Sequence, residues 1–225
     1  MNLSEKYRPR TLSEVVGQVP PRMLSAFVRR PFRSCWLLEG PGGVGKSATA
    51  FALAHDLGQT DWSLHVVLGT KLNKERAEEL FEHTLRLRPF DGSPWQLVIV
   101  EEFERIVSPE VKAYLKTALD QSLDPEVGLP ARAIVVATSN DASRIDDYLL
   151  ERFRIKQYSG GATFAEAAQE RLAWIWDREV GGDMPYTWRQ WGWIGDRFSM
   201  RRALREMDDW IALTECVAAA QGSQA

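Results

Sequence analysis

The sequence predicts an α/β protein: a parallel five-stranded sheet flanked by helices, followed by a small α-helical domain. Three observations predict it. Unbroken apolar runs (WLLE, LHVVL, QLVIV, RAIVVATSN) alternate with segments of helical period, the pattern of parallel strands buried on both faces. A glycine-rich turn joins the first run to an alanine-rich helical segment. Beyond Gly160-Gly161 the apolar runs stop and amphipathic helical patterns take over. The expected division is 1–159 for the sheet domain, 160–217 for the helical domain and 218–225 for a frayed polar tail.

The first strand, turn and helix occupy residues 36–57, WLLEGPGGVGKSATAFALAHDL. Here Gly40, Pro41, Gly42, Gly43, Val44, Gly45, Lys46 and Ser47 spell G-x-x-x-x-G-K-[ST], the Walker A pattern, and Ala48 carries it into the helix. Glycines let successive backbone N–H groups curl around a phosphate, and the helix start adds its positive dipole end. Lys46 is then expected to reach the β- and γ-phosphates of a nucleoside triphosphate, with the Ser47 hydroxyl on Mg²⁺.

Composition narrows the remaining classes. A hydrophobic share of 44% and a charged share of 26% over 225 residues are those of a folded chain with a sizeable core. The formal charge of −3 gives no global basic signal, so any nucleic-acid contact must come from a local face. Cys35 and Cys216 have no metal-ligand or C-x-x-C spacing, and the N-terminus has no apolar signal core. No run approaches the roughly 18 apolar residues of a membrane span. An intracellular, cytoplasmic or nucleoid location is expected, without a membrane partner.

The other elements follow in order. Residues 5–18, EKYRPRTLSEVVGQ, form an arm, and Pro20-Pro21 is expected to break the chain before a helix from Arg22 to about Arg30. Leu64 to Leu68 reads as a buried strand. In NKERAEELFEHTLRLR, Ala77, Leu80, Phe81, Thr84, Leu85 and Leu87 recur at the spacing of one long amphipathic helix. The turn PFDGSPW leads into QLVIVEEFERI, an apolar run closed by Glu101 and Glu102 at the strand end where parallel sheets collect ligands. Ser108-Pro109 supplies an N-cap and a first-turn proline to the next helix, on which Lys112 and Lys116 share a face. The strand RAIVVATSN ends in Asn140, and a short helix then delivers Arg152 and Arg154 ahead of the last strand. In the helical domain, two amphipathic segments flank PYTWRQWGWIGD. Six of the nine tryptophans fall there, enough to suggest a packed core plus an aromatic patch for a partner.

From about Glu5 to Ile211 this set of motifs resembles the replication factor C small subunits and related clamp-loader ATPases of the AAA+ family. The resemblance implies that Tyr7, Arg8, Pro9, Val15 and Val16 enclose the adenine of ATP. It places Glu101 where relatives hold the Mg²⁺ shell with an aspartate, a departure of one methylene that puts efficient hydrolysis in doubt. Glu102 becomes the residue that polarises the attacking water, and Asn140 becomes sensor 1, on that water or on the γ-phosphate. Arg152 resembles an arginine finger acting in trans, although Glu151 and Phe153 replace the usual Ser and Cys. Arg201 resembles sensor 2, although Phe198-Ser199 stands for the usual Gly-Asp. Lys71, Lys74 and Arg76, with Lys112 and Lys116, stand where relatives face DNA. The partners implied are other AAA+ subunits in a homo- or hetero-oligomer, DNA, and a sliding clamp or another DNA-bound protein. The third, collar domain of those relatives has no counterpart within these 225 residues.

The expected function is therefore an ATP-dependent, clamp-loader-like ATPase that forms a ring or spiral on DNA. Two other functions fit the same residues: an ATP-binding adaptor subunit with little hydrolysis, and a helicase loader or transposition regulator.

Overall fold

The computed structural model describes residues 2–222, with the side chains of the last helix as far as Thr214. The arm carries one helical turn, α1 (Leu3–Lys6), before α2 (Pro20–Arg29). Then come β1 (Ser34–Glu39), α3 (Lys46–Asp56), β2 (Leu64–Leu68), α4 (Lys74–Glu78), β3 (Gln96–Glu101), α5 (Pro109–Ala118), β4 (Ala133–Ser139), α6 (Asp147–Leu150) and β5 (Arg154–Gln157). The C-terminal part consists of α7 (Ala162–Glu179), a hairpin of β6 (Trp193–Ile194) and β7 (Arg197–Phe198), and α8 (Met200–Gly222).

Strands β1 to β5 form the expected parallel five-stranded sheet, in the order β2-β3-β4-β1-β5. The central strands β3, β4 and β1 are buried along nearly their whole length, because helices cover both faces. On one face the small side chains of Ala50, Ala52 and Ala54 let α3 lie close to the sheet. On the other, α4 and α5 pack Ala77, Val111 and Leu115 against Val98, Val100 and Val135. Ser108 caps α5 as expected, its hydroxyl accepting from the Val111 N–H at 3.4 Å.

Several local expectations are corrected. Pro20 and Pro21 begin α2 instead of breaking the chain before it, since the first helical positions need no N–H donor. Leu64–Leu68 is an edge strand, with Val66 43% exposed; a short β-branched run reads alike at the edge and in the centre. The single helix expected over 74–87 is α4 followed by a π turn (Glu79–His83) and a 3₁₀ turn (Thr84–Arg86), with Leu80, Phe81 and Leu85 still buried. Residues 218–222 of the expected tail belong to α8, and residues 223–225 lie outside the described ones. Cys35 is buried in β1, whereas the Cys216 side chain is not among those described.

Five of the six tryptophans of the C-terminal part pack into core instead of forming a patch. Trp176 and Trp191 are buried, and Trp188, Trp193 and Trp210 pack against the same apolar cluster. Trp174, 43% exposed, is covered by the guanidinium groups of Arg171 and Arg178. One apolar cluster runs from Leu3 and Leu12 of the arm through Ile99 and Val136 of the sheet to Phe164, Leu172 and Trp191, so it crosses the expected boundary at residue 160. Polar contacts reinforce it: the Leu3 N–H donates to Asp208 at 3.2 Å, and Lys6 pairs with Glu179 at 2.7 Å.

Phe198 sits at the centre of the C-terminal part, fully buried edge-on against Phe164 and Trp193, at centroid distances of 6.0 and 5.6 Å. Phe198→Ala is expected to cost about 3–5 kcal/mol, seen as a lower urea midpoint at unchanged m. A loss under about 1 kcal/mol would place the hairpin outside the cooperative core.

Candidate active site

A cleft of about 540 Å³ lies over the C-terminal ends of β1, β3 and β4, roofed by the start of α8. Its floor is the turn after β1. Gly40 has φ 145°, and a Cβ there would stand 2.4 Å from the Tyr158 carbonyl oxygen. The Gly40 N–H donates to Ser139 O at 3.2 Å and Pro41 has no N–H, so neither offers a backbone donor to a phosphate, and the loop lines the cleft from Gly42 onward. The N–H groups of Gly43, Gly45 and Lys46 donate to no protein acceptor among the described residues. Gly43 (φ 83°) touches the C-terminal part directly. A Cβ would meet the Ser199 hydroxyl at 2.0 Å, and the Gly43 carbonyl accepts from the Met200 N–H at 3.0 Å.

Lys46 is buried and donates to the carbonyls of Gly40 (2.6 Å) and Pro41 (2.7 Å) and to Asn140 Oδ1 (3.1 Å). Burial pushes its ammonium down to about 8; the charges of Glu104 and Glu39 oppose that shift and Arg201 adds to it.

Glu101 ends β3 beside Leu68 of β2. Glu102 follows in the left-handed region (φ 56°, ψ 50°), alone among the described non-glycine residues. Its N–H donates to Thr138 Oγ1 at 3.3 Å, and its carboxylate lies 3.3 Å from Arg105 Nε. The next turn is anchored by Phe103, buried edge-on against Phe153 at 5.1 Å. It returns Glu104 to the end of β4, where Oε1 accepts from both the backbone N–H and the Nδ2 of Asn140, each at 3.1 Å.

The arm and the C-terminal part give the same cleft an apolar lining. Tyr7, Pro9, Val15, Val16, Phe164 and Leu204 line it, with polar rims from Asn2, Ser4 and Arg171. The Tyr7 hydroxyl donates to Glu179, its ring lies edge-on to Trp174 at 5.8 Å, and the Arg8 guanidinium stacks 4.1 Å over Phe51.

The structure therefore brings together Tyr7, Arg8, Pro9, Val15, Val16, the loop from Gly42 to Ala48, Glu101, Glu102, Asn140 and Arg201. Thr138, Phe164, Arg171, Met200 and Leu204 also line the cleft and were missed. Glu104, too, had a signal: a third carboxylate in EEFER. Arg152 lies outside the cleft, 23% exposed, its Nη2 3.0 Å from Asp120 and its Nε donating to Lys116 O at 3.3 Å. The basic residues expected at DNA also lie outside. Lys74 pairs with Glu78, Arg76 with Glu79 and Lys112 with Asp146, leaving Lys71 and Lys116 without a carboxylate partner among the described residues. 

The residues present fit a magnesium nucleotide. Ser47, Glu101 and Glu102 offer hard oxygen donors to the cleft that Lys46 also lines. No cluster of three His, Cys, Asp or Glu side chains among the described residues suits a metal, so phosphate oxygens would complete the shell. No described helix is long and apolar enough to cross a membrane.

Comparison with known proteins agrees with this geometry. Over 183 residues the chain is 31% identical to the replication factor C small subunit of Thermofilum pendens, covering 78% of this chain and 52% of that one. Over 118 residues it is 35% identical to the corresponding protein of Archaeoglobus fulgidus, covering 50% and 37%. The chain thus spans about half or less of the length of these relatives. Among solved structures, the RuvB Holliday junction branch migration motor of Thermotoga maritima superposes with a TM-score of 0.66 at 22% identity, covering 88% of this chain and 63% of that one, which establishes the fold alone. Residues 36–160 match the model of the ATPase family associated with various cellular activities, and with the loop, the two strand-end carboxylates and Asn140 on that stretch, the chain belongs to this AAA family.

Proposed function

We propose that the chain is a clamp-loader-like ATPase that assembles with other AAA subunits on DNA and uses ATP to load or remodel a DNA-bound protein, in the sharpest version a sliding clamp. The observation that carries the reading is the convergence of Lys46, Glu102, Asn140 and Arg201 on one cleft while Arg152 stands outside it. The likeness to replication factor C small subunits supports the clamp-loader version.

In this reading the loop N–H groups and Lys46 hold the phosphates, and the arm encloses the adenine. Ser47 and Glu101 would hold Mg²⁺, which when bound neutralises charge on the phosphate oxygens. Glu102 takes the proton of the attacking water, and Arg201 meets the γ-phosphate from α8. Arg152 serves a neighbouring subunit's nucleotide. Lys71 and Lys116 are free to meet DNA. The exposed Lys74 and Arg76 pairs are weak enough to yield to a phosphate, whereas Lys112 is held by Asp146 at 2.9 Å. Such a protein works where the DNA is, at the nucleoid or replisome.

The test is steady-state ATP hydrolysis, alone and with primer-template DNA and a cognate clamp, with Lys46→Ala as the blank. Stimulation that needs both DNA and clamp is expected. Stimulation indifferent to the clamp would overturn the loader reading, and the absence of turnover above the blank would overturn the motor reading.

Arg152→Ala is expected to leave nucleotide affinity within about twofold and to lower assembled turnover by about 10³-fold, the usual scale for a finger in trans. Mixing it with Glu102→Gln subunits is expected to restore part of the rate, because each supplies what the other lacks. Unchanged turnover in Arg152→Ala assemblies would assign the finger elsewhere.

A further inference from the structure

We infer that Glu104 is a positioning residue that fixes which way the Asn140 carboxamide faces, so that an acceptor oxygen, and not an NH₂ group, looks into the cleft. This deepens the ATPase reading above and rests on it. On that reading, Asn140 orients the attacking water by accepting its hydrogen bond and does not donate to the γ-phosphate. The sequence left both roles open.

The orientation follows from what stands on either side of the amide. Asn140 Oδ1 accepts from the Lys46 ammonium at 3.1 Å, while Nδ2 donates to Glu104 Oε1 at 3.1 Å. Turning the amide over would set NH₂ against an ammonium and an oxygen against a carboxylate. Two hydrogen bonds would become two like-sign contacts, so the chemistry allows one orientation. The Asn140 backbone N–H donates to the same Oε1 at 3.1 Å, which holds the carboxylate at the strand end.

Glu104 is itself firmly placed. It lies in the 3₁₀ turn Phe103–Arg105, closed by the Arg105 N–H on Glu102 O (2.9 Å) and the Ile106 N–H on Phe103 O (3.1 Å). Phe103 locks that turn against Phe153. The other oxygen, Oε2, is buried without a donor among the described residues. Among the described residues the charge of Glu104 is met by the two Asn140 donors and by the nearby Lys46 ammonium. The left-handed backbone of Glu102 thus makes one tight turn carry two carboxylates with separate duties, one for the water and one for the amide that aims it.

The test is a double-mutant cycle on MgATP turnover, combined with the side-chain amide signals of ¹⁵N-labelled protein. The Asn140 NH₂ pair is identified by its loss in Asn140→Ala. In Glu104→Ala that pair is expected to shift more than those of Asn2 and Asn73, while kcat falls about tenfold at a KM within about twofold. In an Asn140→Ala background the same Glu104→Ala change is expected to cost less than about twofold, because its target is gone. Glu104→Gln, which keeps an acceptor oxygen at the same reach, is expected to retain the signal and most of the rate; it is also the variant to use if the alanine does not fold. An unmoved Asn140 signal, or an equal loss of rate in both backgrounds, would overturn the proposal. If the wild-type protein shows no turnover, the ATPase reading fails while the amide signals still decide whether Glu104 holds Asn140.

Discussion

Glu102→Gln is expected to lower ATP turnover by about 10²–10⁴-fold, the range for removing a general base, while nucleotide affinity stays within about threefold. The substitution is nearly isosteric, so the left-handed backbone at φ 56° and the N–H bond to Thr138 are retained, and only the proton acceptor is lost. In this structure the carboxylate rests against Arg105, an exposed pair that contributes little and releases readily. Glu102→Gly separates conformation from chemistry. It removes the base but relieves a left-handed residue, so it is expected to be as inactive as the glutamine variant and no less stable than wild type. A glutamine variant with wild-type turnover would mean that the water is activated by another group. Gly69→Ala should give a weaker form of the same defect, since its Cβ would stand 2.3 Å from the Glu102 carbonyl oxygen and push the turn away.

Lys46→Ala is expected to weaken nucleotide binding by about 10²-fold or more, measured by titration of a fluorescent ATP analogue. Truncating one partner of a buried, hydrogen-bonded charge contact costs about 2–5 kcal/mol, and each 1.4 kcal/mol is tenfold in affinity. The loss should be larger for the triphosphate than for the diphosphate, because the ammonium stands between the loop carbonyls and Asn140, where the γ-phosphate would enter. Equal losses for both nucleotides would place the lysine on the β-phosphate alone. Affinity unchanged for both would mean that the loop N–H groups carry the anion by themselves.

Much of the sheet and its ligand-bearing edge was legible in the sequence, because buried parallel strands cannot hide their apolar runs and a phosphate loop cannot be built without its glycines. QLVIV and RAIVVATSN predict β3 and β4, with Glu101, Glu102 and Asn140 at their ends. What escaped depends on contacts distant in sequence. That Gly40 spends its N–H on Ser139 is settled by the β4 strand about 100 residues away, not by the loop. The burial of Trp176 and Trp191 depends on how a two-residue hairpin folds back between α7 and α8, and strands so short leave no periodicity. The pairing of Lys112 with Asp146 joins two helices that no local pattern relates. Glu104 was visible as a residue but not as a partner, because nothing in EEFER says that the chain turns left-handed at Glu102.

The hydrogen bond from the Met200 N–H to the Gly43 carbonyl hinges the last helix on the phosphate loop itself. That helix runs from Met200 to Gly222, 23 residues, or about 35 Å at 1.5 Å per residue. A tilt of about 10° at the hinge would sweep its far end through about 6 Å. Any shift of the Gly43 peptide that α8 followed would be magnified along its length, as at the short arm of a lever.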